Sequence, residues 1–147
     1  MPRPGGYLLD TNIILALVRR NDLGLFLEAA YGVSALAHQF TVAVVTVGEL
    51  YALANKLAWG AARRAAMVRQ IAPFDVQNID QRVIAAYAEI DATSDAIGRP
   101  MGKNDAWIAA TARVLDATLL TTDRDFDHLH GPWIDRDWVD PASKPTP

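Results

Sequence analysis

The chain contains no cysteine. That excludes disulfides, zinc–thiolate sites and thiol nucleophiles, and it is compatible with a reducing cytosol. Long apolar runs are missing too. Hydrophobic residues make up 51% of the 147, yet no run approaches the ~20 residues needed to cross a bilayer. The opening residues, "MPRPGG", have no apolar core of the signal-peptide kind. Positive charge is scarce: 14 Lys and Arg stand against 17 Asp and Glu, a net charge of −3. There is thus no global basic footprint, and any nucleic-acid binding must come from a local site. No internal repeat is visible. The expectation is a cytoplasmic protein with no membrane association.

The apolar residues are spread along the chain, and the length suits one domain with a real core. "YLLD" (7–10) reads as a short buried strand entered through a Gly pair, and "IILALVRR" (13–20) as a helix. The segment through Gly32 reads as helical with a break at that glycine. "FTVAVVTV" (40–47) is rich in β-branched residues and reads as a second buried strand, followed by the helix "GELYALANKL". Next come the helix "AARRAAMVRQI", the strand "FDVQNI", a long helix capped by Asp80 and stopped near Gly98, the helix "NDAWIAATARVL", the strand "ATLLTT" and the short turn "DRDFDHL". Strands alternating with helices predict an α/β fold, a central and largely parallel sheet covered on both faces. The domain is expected over residues 1–135, with the polar, Pro-rich residues 136–147 as a flexible tail.

Within this pattern the acids fall at element junctions. Asp10 closes the first strand, Glu49 lies just past the second, and Asp123 follows "LLTT". The carboxyl ends of parallel strands form the edge where ligands bind. Asp105 opens a helix whose Ile108, Ala112 and Leu115 follow at helical spacing, so it shares the inward face. Capping explains part of this: Asp10 or Asn12 can cap the first helix, Asp123 the turn after it, and Thr46 with Glu49 fits a capping box. Capping does not explain why one edge collects all four acids or why Asp105 faces the core. Clustered carboxylates repel one another and raise each other's pKa, and a divalent cation removes that repulsion. Oxygen ligands without His or Cys suit Mg²⁺ or Mn²⁺ rather than zinc. Such a site suits phosphodiester displacement, which needs no side-chain nucleophile. The hydroxyls of Thr121 and Thr122 either assist there or are simply β-branched strand residues.

"LLDTNIILAL", "TVGEL", "NDAWIAATA" and "LLTTDRDF", in this order and spacing from Tyr7 to about Leu129, resemble the PIN-domain family, and more narrowly the VapC-type toxins of toxin–antitoxin pairs. The resemblance implies a three-layer α/β/α domain and Mg²⁺- or Mn²⁺-dependent cleavage of RNA. It maps an acidic quartet of metal ligands onto Asp10, Glu49, Asp105 and Asp123, the same residues the junctions select. It implies a polar assisting residue, Thr121 or Asn12, with Asp125 as an extra or substitute ligand. It also implies a homodimer and an antitoxin whose C-terminal segment blocks the site. The alternative is a non-catalytic PIN-like domain that binds RNA or protein, and the intact quartet speaks against it. A metal-dependent phosphatase would want a second Asp two residues beyond its nucleophile, which Asp10-Thr11-Asn12 lacks.

Lys103, just before Asp105, is the basic residue expected to touch phosphate. Lys56, Arg19, Arg20, Arg63, Arg64 and Arg69 read as solvated helix faces. His38, His128 and His130 have no ligand spacing with the acids, and Trp133 and Trp138 read as packing residues.

Overall fold

Alternation along three central strands sets the architecture. In the computed structural model, which describes residues 1–147, β1 (Tyr7–Leu9) sends Leu8 to one apolar cluster and Leu9 to the other. Likewise β2 (Phe40–Ala43) splits Val42 from Ala43, and β4 (Thr118–Thr121) splits Leu119 from Leu120. Strands buried on both faces read as continuous apolar runs, which is why period 2 is not visible in their sequences. With β3 (Asp75–Gln77) and β5 (Asp135–Trp138) they form one parallel sheet in the order β3-β2-β1-β4-β5. One cluster packs beneath α1 (Thr11–Arg19), α2 (Asp22–Tyr31), α3 (Val44–Lys56) and α4 (Ala61–Ile71). The other packs beneath α5 (Gln81–Ala96) and α6 (Lys103–Leu115). This is the expected three-layer α/β/α sandwich. No helix is long and apolar enough to cross a membrane.

Local chemistry sets the helix ends. Asp10 caps α1 by accepting the Thr11 N–H at 2.8 Å, Asn21 caps α2 through the Gly24 N–H, and Asp80 caps α5 through the Val83 N–H. Gly32 ends α2 in the left-handed region, at φ 62°. Gly24 has a second role. A Cβ there would lie 2.1 Å from the Ala16 carbonyl oxygen, so α2 crosses α1 at a distance only glycine permits.

Three expectations need correction. The second strand ends at Ala43 rather than Val47, and Val44–Val47 are the first turn of α3. Their β-branched character is overridden because α3 buries Thr46, Leu50 and Ala54 on one stripe. The capping box fails for the same reason: Thr46 lies inside the helix, fully buried, and Ala43 occupies the cap position. The expected flexible tail also begins too early. Residues 135–138 are strand β5, paired with β4 from Thr118↔Asp135 to Thr121↔Trp138, and the Val139 N–H donates to the Thr121 carbonyl. This strand is held partly by polar contacts, with Tyr31 Oη donating to Asp137 at 2.8 Å.

Candidate metal centre

Asp10 follows Leu9 at the end of β1, and its N–H donates to the Leu120 carbonyl of β4. Alternation therefore turns Asp10 toward the face of Leu8, under α6, and turns Thr121 the same way. The two side chains meet. Thr121 Oγ1 donates to Asp10 Oδ2 at 2.6 Å, and the same oxygen accepts the Asp123 N–H at 2.9 Å. Asp10 is buried, and its other oxygen takes the Thr11 N–H. Asp123 begins a 3₁₀ turn, Arg124–Leu129, and accepts the Asp125 N–H at 2.8 Å. On the far side, Thr11 Oγ1 donates to Glu49 Oε1 at 2.8 Å and lies 3.2 Å from Thr46 Oγ1. Glu49 is thus steered by the start of α1, not by its own helix end.

The first turn of α6 contributes Asp105, half-buried as its position on the apolar stripe predicts. One carboxylate oxygen from each of Asp105, Asp123 and Asp125 lies within 4.8 Å of the others. Asp10 and Glu49 stand alongside this trio rather than in it, and Asp105 feels the charge of all four others. Burial pushes the Asp10 carboxyl up to about 6, against the hydrogen bonds from Thr121 and Thr11, and the charges of Asp123 and Glu49 add to the rise. Asp105 is pushed up to about 7, by burial first and then by Asp10, Asp123, Asp125 and Glu49. No Lys, Arg or His forms an ion pair with any of the five; the ion pairs of the molecule all lie elsewhere.

A hard divalent cation fits this set. The donors are oxygens only, three converge within coordinating range, and the missing partner is positive charge. All four acids of the expected quartet are at this edge, with Asp125 beside them. Thr121 is there too, but it is fully buried with its hydroxyl directed at two acids. Asn12 is exposed and lines the open groove of about 530 Å³ beside Thr11 and Glu49, with Lys56 and Asn104 along its walls. No histidine joins the convergent trio: His128 Nε2 lies 2.8 Å from Ser94 Oγ while its ring also meets the Asp125 backbone, and His130 Nδ1 accepts the Arg136 N–H. Thr11 was not singled out from the sequence, although its position in "DTN" next to Asp10 was a usable signal.

No curated protein matches this chain in sequence. Among solved structures, a chain of VapBC2 from Rickettsia felis, bound to a DNA fragment from its promoter, superposes with a TM-score of 0.78 at 20% identity, covering 91% of this chain and 98% of that one. A chain of VapBC-1 from nontypeable Haemophilus influenzae has a TM-score of 0.71 at 26% identity, over 90% and 96%. VapBC-5 from Mycobacterium tuberculosis, a member of the VapBC family of toxin–antitoxin systems, gives 0.67 at 24%, over 92% and 100%. At 20% and 24% identity the likeness is one of fold. The PIN-domain profile matches residues 7–132, so that it spans every acid of the site from Asp10 to Asp125. The chain belongs to the PIN-domain family.

Proposed function

We propose that this chain is a metal-dependent endoribonuclease and the toxin half of a toxin–antitoxin pair. The observation that carries the reading is the group of five carboxylates with no counter-cation, gathered at the C-terminal edge of a parallel sheet in a PIN domain. The likeness to chains of VapBC toxin–antitoxin complexes supports the toxin assignment. Asp105, Asp123 and Asp125, with Asp10 and Glu49, would hold Mg²⁺ or Mn²⁺. When bound, that ion would supply Lewis-acid activation of water and charge neutralisation at the phosphate.

The remaining roles belong to the chain. Asp10 and Asp105, whose carboxyls burial pushes up, would bind that ion in their deprotonated form. Thr121 fixes the Asp10 carboxylate and the start of the turn carrying Asp123 and Asp125, and is a positioning residue rather than a substrate contact. Thr11 does the same for Glu49. Lys103 and Lys56, both exposed, flank the acids as phosphate contacts. Water adds to phosphorus and the bond to the 3′ oxygen breaks, leaving a 5′-phosphate and a 3′-hydroxyl.

The partners complete the reading: a homodimer in the cytoplasm, and an antitoxin whose C-terminal segment covers the site. Exposed Ile84 and Ile97 on α5 and just past its end offer apolar surface to such a partner. The test is incubation of the purified chain with structured and single-stranded RNA in Mg²⁺, in Mn²⁺ and in EDTA. Cleavage in either metal that stops in EDTA, and in Asp10→Asn and Asp105→Asn, supports the reading. RNA binding without cleavage in every condition overturns it in favour of a non-catalytic PIN domain.

A further inference from the structure

Anions outnumber cations in this chain, and an RNA strand approaching an acidic edge needs positive charge close by. Three arginines lie over tryptophan rings, and they differ in what their N–H groups do. Arg113, near the C-terminal end of α6, lies 4.6 Å from the Trp133 ring, and its Nη1 donates to the Trp133 carbonyl at 2.8 Å. Arg63 lies 5.5 Å from the Trp59 ring, a looser approach made on α4. Arg124 lies 3.8 Å from the Trp138 ring, and in the chain it stands between Asp123 and Asp125.

Trp138 is itself fixed at that edge. It is the last residue of β5, paired with Thr121, and its Nε1 donates to the Thr122 carbonyl at 3.0 Å. Arg124 remains 62% exposed, and none of its N–H groups makes a hydrogen bond to the protein. Its one ionic neighbour, Asp127 Oδ2, is 3.6 Å away, whereas Asp127 Oδ1 is approached at 2.9 Å by Arg136. Arg124 forms no ion pair with the acids on either side of it. A guanidinium held by its face, with its donor edges open to solvent, is arranged to receive an anion from outside.

We propose that Arg124 binds a backbone phosphate of the RNA beside the acidic group, and that Trp138 is the positioning residue that holds its guanidinium plane. This rests on the nuclease reading above and deepens it. It gives β5 a function: the strand delivers the ring on which the arginine lies. Phosphate contact by Arg124 is independent of RNA sequence, since guanidinium–phosphate pairing positions the strand without reading bases.

The test is fluorescence anisotropy of a short labelled single-stranded RNA with the full chain, across a salt series in Ca²⁺, with the RNA checked intact on a gel. Removing one phosphate contact lowers the slope of log K against log salt by about 0.7 for a single strand. Arg124→Ala and Arg124→Gln are each expected to lose that amount and to weaken binding, while Arg113→Ala changes neither. Trp138→Leu is expected to keep the slope and weaken affinity. An unchanged slope and affinity in both Arg124 variants overturns the inference and leaves the nuclease reading standing; so does an equal loss in Arg113→Ala. Failure of the unmutated chain to bind RNA removes both.

Discussion

Thr121 Oγ1 lies 2.6 Å from Asp10 Oδ2 and accepts the Asp123 N–H, so one buried hydroxyl ties the end of β1 to the turn after β4. Removing it leaves one Asp10 oxygen without a partner in a buried place. Thr121→Val is expected to destabilise the fold by about 1–3 kcal/mol and to weaken Mn²⁺ binding. Thr121→Ser keeps the hydroxyl and is expected to retain metal binding with a smaller loss of stability. Thermal melting with calorimetric Mn²⁺ titration of both variants checks this.

Thr11 separates orientation from stability. Its hydroxyl donates to Glu49 at 2.8 Å, and both residues are half-buried. Thr11→Val is expected to cost about 0.5–1.5 kcal/mol in stability, with a fall in kcat at little change in KM, because Glu49 is no longer aimed. Thr11→Ser is expected to restore the rate. A Thr11→Val protein with an unchanged rate would sever Thr11 from the site.

Stability of the metal-free protein is expected to fall as pH rises. Asp10 and Asp105 titrate in the fold at about 6 and about 7, against 3.8 when free of it. Between those values the folded protein holds more protons than the unfolded chain, so unfolding free energy declines with pH. The contribution is fully present below 3.8 and is lost as pH climbs toward about 7. Asp80, held low by the Val83 N–H and by Arg82, acts in the opposite sense and in a more acidic range. Melting temperature in EDTA should therefore drop across the mildly acidic range, with a flatter profile in Asp10→Asn. Added Mn²⁺ should raise it most at the upper end.

Two glycines give opposite expectations. Gly24→Ala forces a Cβ against the Ala16 carbonyl and is expected to destabilise by about 1–3 kcal/mol as α2 moves off α1. Gly48 lies within α3, where an added Cβ would meet nothing within 4 Å. Gly48→Ala is expected to stabilise by about 0.5–1 kcal/mol. Urea denaturation of the pair distinguishes them.

Some of this was legible in residue order and some was not. The helix caps at Asp80 and Gly32 follow from local chemistry, and the structure has them where the sequence predicts. The inward Asp105 follows from helical spacing alone. Val44–Val47 misled because β-branched composition describes a preference that packing of Thr46, Leu50 and Ala54 overrode. Strand β5 was hidden because "DRDW" has no apolar alternation; all four residues are half-buried at an edge and find polar partners such as Tyr31 and Asp127. The gathering of four acids at one edge was visible. That Thr11 and Thr121 hold two of them was not, because those contacts join residues 38 and 111 positions apart.

In the nuclease reading proposed above, the acids at this edge receive a divalent cation, and that reading depends on it. The decisive measurement is calorimetric titration of the metal-free protein with Mn²⁺ near pH 6, repeated in buffers of different ionisation enthalpy. Saturable binding is expected, with net proton release as Asp10 and Asp105 give up protons to the cation, and with a large loss of affinity in Asp105→Asn. Absence of saturable binding, or equal affinity in Asp105→Asn, would contradict it.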